Sequence, residues 1–507
     1  MRRVALGNEF FSFIFKSPRK KLESPCQVKT IHFFASEFRM LFNSLAFALF
    51  FPIVTIGYFL LHYRWRWSWL LVASCFFYMF FKPIYILILF FTIAIDYLAG
   101  IVIEQSSTQS KKKRWLILSI VANVGVLAVF KYYHFFNENL ELLTGFAGIK
   151  FHLPYMELLL PVGLSFHTFQ AMSYTVEVYR GRQKAERHLG IYALYVMFYP
   201  QLVAGPIERP QQLLHQFRAK HTFDYVQVSA GLQRMLWGLF KKMVIADRLS
   251  VYVDAVYNSP EQFSGWPLIW ATIFFSIQIY CDFSGYCDIA LGSANVMGFK
   301  LMENFRTPYF SATFREFWTR WHISLSAWFR DYVYIPLGGN REGPGRFIRN
   351  ILITFALSGL WHGASWNFVV WGILHGLFII AERLIHGDKA KRSIHRVFFT
   401  FLCVSFAWIF FRASTWQHAV YIAGHLFSFQ SGIIGVPQIS GLSFLISILI
   451  VILFILTEAL SFSGKSGWIV RLFPNPGLFR YTMNALMVIA ILMLGIFEEQ
   501  TFIYFQF

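Results

Sequence analysis

Charge is scarce in this chain. Asp, Glu, Lys and Arg make up only 14% of its 507 residues, and acidic residues are the rarer kind, 26 against 45 basic. A soluble domain needs a charged surface, so this shortage excludes an ordinary soluble fold. Cysteine is scarce too. Cys26, Cys75, Cys281, Cys287 and Cys403 are odd in number and none sits at a metal-ligand spacing. No disulfide framework and no metal site is expected; these are small buried hydrophobes. No internal repeat, low-complexity tract or separate soluble domain is visible, and the missing repeat halves speak against a transporter of the inverted-repeat kind.

What is present is apolar: 56% hydrophobic and 20% aromatic residues, sixty of them Phe, with a mean hydropathy of +0.50. Many runs are long enough to cross a bilayer as helices. Backbone groups in lipid must be satisfied within the protein, so the expected fold is an all-α polytopic membrane bundle. Spans are expected near 42–62, 67–82, 83–103, 115–133, 156–177 and 190–207, then near 351–361, 366–380, 395–412, 441–461 and 480–497. Val228 to Ile245 is amphipathic and reads as interfacial. Asp282 to Asp288 (DFSGYCD) separates apolar runs near 267–282 and 285–298, and reads either as a glycine break lining a cavity or as a short surface loop.

The net charge, 45 − 26 = +19, would point to nucleic acid in a soluble protein. Here basic loops kept in the cytoplasm, anionic lipid or an anionic cytosolic ligand account for it, and no nucleic-acid partner is expected. Residues 1–39 form an extension with eight basic and three acidic residues. The basic loops at Arg64 and Arg66, Lys111 to Arg114 and Arg180 to Arg187 put the start of the first span outside. A basic extension there violates the charge rule, so translation is expected to begin at Met40.

The chemistry concentrates between Asn304 and Gly376. Arg315, Thr319, His322, Ser326 and Arg330 recur at three- and four-residue steps, so one helix would carry them as a polar stripe beside Phe314, Phe317, Trp318, Trp321 and Trp328. Such a helix lies at an interface or lines a cavity. Further on, His362 follows an apolar run and stands among Ser358, Gly359, Gly363, Ala364 and Ser365, whose small side chains admit another backbone or a thin substrate. Ionisable groups are costly in lipid and mark working cavities. A neutral imidazole can take a proton from a hydroxyl; the plainer role for His362 is a hydrogen bond between helices. The terminal FIYFQF is too aromatic to stay in water. It is expected to fold back into lipid or a cavity, bringing the Tyr504 hydroxyl with it, or else to anchor at the interface.

The runs NFRTPYFSATFREFWTRWHISLSAWFRDYVYIPLGGNR and GLWHGASWNFVVWGILHG, with LPVGLSFHTFQAMSYTVEVYRG, AGPIERP and YCDFSGYCDIALG, resemble the membrane-bound O-acyltransferase (MBOAT) family. Within it they are most similar to the branch that O-acetylates bacterial polysaccharides such as alginate. The resemblance runs from Met40 to the C-terminus. It implies a ring of tilted transmembrane helices, with interfacial and re-entrant helices, around a central funnel. Residues 40–390 would form the catalytic core and 391–507 the C-terminal helices and aromatic tail. It further implies a multi-pass enzyme of the bacterial cytoplasmic (inner) membrane. That enzyme would move acetyl from cytosolic acetyl-CoA, a substrate and not a tightly bound cofactor, toward hydroxyls of an extracytoplasmic polysaccharide, through an SGNH-hydrolase-like partner. The family's catalytic His falls on His362, as general base, and its second motif residue on His322. Arg320, Trp321, Ser324, Trp361 and Asn367, in the same motifs, would bind substrate, and Tyr504 would relay the acyl group. Acylation of peptidoglycan or teichoic acid is the related alternative. A transporter or assembly platform without catalysis is the reading from another class.

Overall fold

The computed structural model of the protein describes residues 40–149, 153–154, 156, 160–203, 205–341, 343–387, 392–429, 436–437, 439–464, 476–497 and 502–503. The extension 1–39 and Tyr504 lie outside the described residues.

Helices account for the architecture. The first group is α1 (Leu45–Leu60), α2 (Arg66–Met79), α3 (Ile86–Gln105), α4 (Gln109–Phe130) and α5 (Tyr133–Phe146). Next come α6 (Leu164–Tyr179), α7 (Leu189–Met197) and the single turn α8 (Tyr199–Leu202). A π-helical segment, Phe240–Ala246, joins α9 (Tyr225–Leu239) to α10 (Asp247–Tyr257), ahead of α11 (Trp266–Val296). The short α12 (Phe314–Arg320) and α13 (Ile323–Phe329) precede the hairpin of α14 (Pro344–His362) and α15 (Trp366–His386). The chain closes with α16 (Ile394–Arg412), α17 (Trp416–His425), α18 (Gly441–Phe462) and α19 (Pro476–Leu494). Several begin on hydroxyl caps that take up a first-turn N–H: Ser44, Thr313, Ser365, Ser393, Thr415 and Ser440 each accept one.

Among the described residues, seven helical stretches are long and apolar enough to cross a membrane: Pro83–Gln105, Gln109–Phe130, Trp266–Val296, Trp366–His386, Ile394–Arg412, Gly441–Phe462 and Gly477–Leu494. The expected all-α, multi-pass architecture is therefore what the chain forms. Three local expectations fail. The 190–207 run is not one span, because it breaks at Phe198 into α7 and α8. DFSGYCD is neither a break nor a loop, because α11 runs through it unbroken for 31 residues. Val228 to Ile245 is not interfacial either, since α9 and the π segment pack along α11.

Glycine explains the last two. A Cβ on Gly238 would meet Gly285 O at 2.5 Å, and one on Gly292 would meet Gly231 O at 2.6 Å. The two helices thus touch backbone to backbone at two points seven residues apart on each. The charges beside this crossing are buried as pairs. Lys241 Nζ lies 2.6 Å from Asp288, and Lys242 Nζ lies 2.8 Å from Asp282 and 2.7 Å from Asp247. Buried charge is tolerable only when paired and hydrogen-bonded in this way. The α14–α15 hairpin is built on the same principle: a Cβ on Gly359 would meet Phe368 O, and one on Gly372 would meet Phe355 O, each at 2.1 Å. Of the aromatic tail, only Phe502 and Ile503 are among the described residues, and both are buried. Phe502 stacks on Tyr286 at 4.6 Å, and Ile503 N donates to Asp282 Oδ2 at 2.8 Å.

Candidate active site

The polar stripe read from the spacing of residues 315–330 does not lie on one helix. α12 ends at Arg320, and the chain turns at His322, whose φ of +43° is one of two positive values among the described non-glycine residues. An imidazole-bearing residue in the left-handed region stores strain, which surroundings must over-determine. Arg315, Thr319, Ser326 and Arg330 still face one common cavity. The turn swings His322 away from them into the core, where it is 0% exposed.

Asn304 holds that turn. Its backbone O accepts from Ile323 N at 2.9 Å, and its Oδ1 accepts from Ser324 N at 3.1 Å and from Ser324 Oγ at 2.8 Å. Asn304 therefore caps the start of α13 from a distance, in the role an N-cap side chain usually fills. A backbone N–H can only donate, so the atom facing Ser324 N is the oxygen. His322 Nδ1 lies 3.3 Å from the same Oδ1. Nδ1 then carries the proton, and Nε2 offers the lone pair. Ser324 Oγ also accepts from Ile207 N at 3.0 Å, tying in the AGPIERP loop.

His362 is the last residue of α14, 3% exposed. Its ring centroid lies 6.4 Å from that of His322, and 4.9 Å from those of Trp361 and Trp371. Phe411 stands edge-on at 5.5 Å. Phe166 and Phe283 flank His322 at 6.1 and 4.7 Å. Two imidazoles thus share one aromatic chamber.

Three cavities approach it. The first, about 490 Å³, runs between α12, α13, α14 and α15; Arg315, Arg330 and Arg383 give it charge, and Thr354 and Ser358 line its depth. Ser358 is one helical turn before His362. The second, about 430 Å³, carries Arg234, Lys241, Arg306 and Arg320 against Asp288, Glu303 and Glu458, and reaches Asn304 behind His322. Both lie near basic segments: Arg180 donates to Asp331 O beside the first cavity's Arg330, and Arg392 shares Glu316 with the second cavity's Arg320. From the opposite end a pocket of about 40 Å³, lined by Lys131, Ser165, Phe166, Trp361 and His362, reaches the imidazole itself. That is room for roughly two or three waters.

The expected site residues divide. His322, Ser324, Trp361 and His362 are brought together. Trp361 packs on Phe166 and Phe169 at 5.3 Å. Arg320 lines the second cavity but is engaged by Glu316, 2.9 Å away. Trp321 is fully buried in a cluster with Phe305, Phe317 and Trp408, at 5.0, 5.6 and 5.1 Å. Asn367 Nδ2 donates to Ala413 O at 3.0 Å and ties α15 to the end of α16. Tyr504 lies outside the described residues, directly after the buried Ile503. Sequence reasoning missed Asn304 as a holder of His322, and missed Lys131 altogether.

The chain as a whole is similar to known proteins. The family model described as membrane-bound O-acyltransferase matches residues 182–391. A probable alginate O-acetylase of Pseudomonas putida is 36% identical over 498 residues, covering 92% of this chain and 100% of that protein. A probable alginate O-acetylase of Pseudomonas aeruginosa is 38% identical over 398 residues, 77% of this chain and 75% of its own length. A peptidoglycan O-acetyltransferase of Helicobacter pylori is 35% identical over 422 residues, 76% and 79%.

Proposed function

Because the chain belongs to the membrane-bound O-acyltransferase family and is an O-acyltransferase, we propose that it moves an acetyl group from acetyl-CoA to hydroxyls of an extracytoplasmic polysaccharide of the alginate kind, with His362 as general base. The observation that carries this reading is the meeting of the two imidazoles, 6.4 Å apart, between cavities from the two ends of the bundle. The basic loops assign the side of the two large cavities to the cytosol, and the membrane is the bacterial inner membrane.

The first cavity is the donor's route. Its lining holds three arginines and no acid, with Arg330 paired to the carboxylate of Asp331, and this favours the phosphates of coenzyme A, whereas the second cavity's cations are largely offset by carboxylates in its own lining. The pantetheine arm runs past Thr354 and Ser358 and brings the thioester carbonyl to the chamber. There His362 takes the proton of the incoming hydroxyl as its oxygen bonds to the acyl carbon. The C–S bond breaks, and the proton passes to the departing thiolate. His322, held by Asn304, orients the thioester or assists that transfer. The aromatic walls exclude water, which would otherwise hydrolyse the donor.

Tyr504 is the first acceptor in this scheme, forming a tyrosyl ester that an SGNH-hydrolase-like partner carries on to the polymer. The burial of Phe502 and Ile503 beside Asp282 supports a tail seated inside the protein. The similarity to a peptidoglycan O-acetyltransferase favours peptidoglycan as the second candidate acceptor.

The test is transfer of radiolabelled acetyl in isolated membranes, together with the ester content of the surface polymer. His362→Ala should abolish both at unchanged protein level; normal esters would reject the base. Tyr504→Phe keeps the ring and removes the hydroxyl, so normal acetylation by that variant would make the tail an anchor only.

A further inference from the structure

The last four carbonyls of a helix have no partner within it, and in apolar surroundings each must find one elsewhere. α14 stops at His362 because Gly363 is extended, with φ −160° and ψ 148°. Its final carbonyls are all accounted for. Gly359 O accepts from Gly363 N at 3.3 Å. Leu360 O accepts from the Tyr132 hydroxyl at 2.8 Å. Trp361 O and His362 O both accept from Lys131 Nζ, at 2.7 and 3.0 Å. Two adjacent residues at the corner between α4 and α5 therefore grip the three residues that end in His362. The ammonium suits the site, since a helix C-terminus favours a cation. It also reaches Ser165 Oγ at 3.4 Å and lies 5.9 Å from the Trp361 ring centroid. Protonated or neutral, the amine keeps N–H donors for the two carbonyls.

The walls of the chamber do not do this work. Trp361, Trp371 and Phe411 meet the imidazole edge to face. Such contacts limit the tilt of a ring, but they are soft to sliding along the helix axis. The anchored carbonyls resist that slide.

We propose that Lys131 is a positioning residue for His362: by donating to the carbonyls of Trp361 and His362 it fixes the end of α14, and with it the place of the imidazole between the cavities. This rests on the reading of His362 as the base. A displacement of about 1 Å at a reacting group costs on the order of a hundredfold in rate. Loss of the anchor therefore acts on turnover, while the donor's binding route, on the far side of Ser358, is left as it was.

The experiment compares Lys131→Met, Lys131→Arg and His362→Ala in the acetyl-transfer assay, with rates normalised to folded protein by size-exclusion chromatography in detergent. Lys131→Met should lower kcat by about tenfold or more with KM for acetyl-CoA within about twofold, and Lys131→Arg, which restores the donors, should regain at least about a third of the turnover. If Lys131→Met does not accumulate, Lys131→Arg decides: an active enzyme supports the assignment and an inactive folded one overturns it. Unchanged kcat in folded Lys131→Met, or a change confined to KM, also overturns it. An active His362→Ala would instead remove the underlying base, which separates the two failures.

Discussion

Replacing Asn304 with leucine, a near match in size, tests whether one amide oxygen organises the site. Ser324 N–H would lose its acceptor in a fully buried place, which costs about 1–3 kcal/mol; the bonds from Ser324 Oγ and His322 Nδ1 would add about 0.5–1.5 kcal/mol each. The sum is about 2–6 kcal/mol, a large part of the margin of a typical folded protein. The strained backbone at His322, φ +43°, would lose the group that caps the following helix, and the imidazole would no longer be held with its proton on Nδ1. Turnover should fall by roughly a hundredfold. Ser324→Ala is the control. It removes the hydroxyl from Asn304 and from Ile207 N, so it should cost about 1–3 kcal/mol as well. It leaves Asn304 on Ser324 N and His322, so turnover should stay within several-fold of wild type. The readouts are the thermal midpoint in detergent and acetyl transfer per folded molecule. Near-normal transfer by Asn304→Leu, or an equal loss in both variants, would refute the reasoning.

Two further outcomes follow. Glu208, in the loop that touches Ser324, is fully buried, and burial pushes its carboxyl up to about 8 although it accepts from Met302 N. A folded-state value above the unfolded one means stability present at low pH and lost as pH rises through the window from about 4.5 to 8. Glu208→Gln should therefore flatten the wild-type decline in thermal midpoint between pH 5 and pH 8, as a pH series of melting curves would show; parallel curves would count against it. Asp282→Leu leaves Lys242 with a carboxylate fewer and Ile503 N without its acceptor. It should cost about 3–5 kcal/mol, whereas Asp282→Asn, which keeps an acceptor, should yield clearly more folded protein in the same expression test.

What could be read from the sequence was what depends on local pattern. Apolar runs gave the helical membrane architecture, and the aromatic start of the tail is buried as its composition suggested, with Phe502 on the face of Tyr286. What could not be read depended on partners far along the chain. Gly285 looked like a break because a lone glycine among aspartates usually is one; its real neighbour is Gly238 O on another helix. The matching seven-residue spacings, Gly231 to Gly238 and Gly285 to Gly292, were the available signal. His322 appeared on the stripe with Arg315 and Arg330 because periodicity assumes an unbroken helix, and a single left-handed residue ends that assumption. Lys131 had a signal as well, being a lone lysine inside a run expected to span the bilayer. Such a residue asks for a function, and the carbonyls of Trp361 and His362 are where it goes.

Both histidines stand where a helix stops inside apolar protein, and the location follows from what helix ends require. A continuous helix satisfies its own backbone and offers a substrate only side chains. Stopping one opens space at the end for a thin acyl chain, but exposes N–H or C=O groups that have no water to turn to. Asn304 answers that demand at the start of α13, and Lys131 with Tyr132 answers it at the end of α14. The groups that make the breaks tolerable are therefore the same groups that hold the imidazoles. Deleting any of them removes stability and geometry together, so a loss of activity alone does not say which was lost. Only substitutions that keep the hydrogen bond while changing the rest of the side chain separate the two, and on this reasoning they should preserve turnover wherever the backbone stays capped.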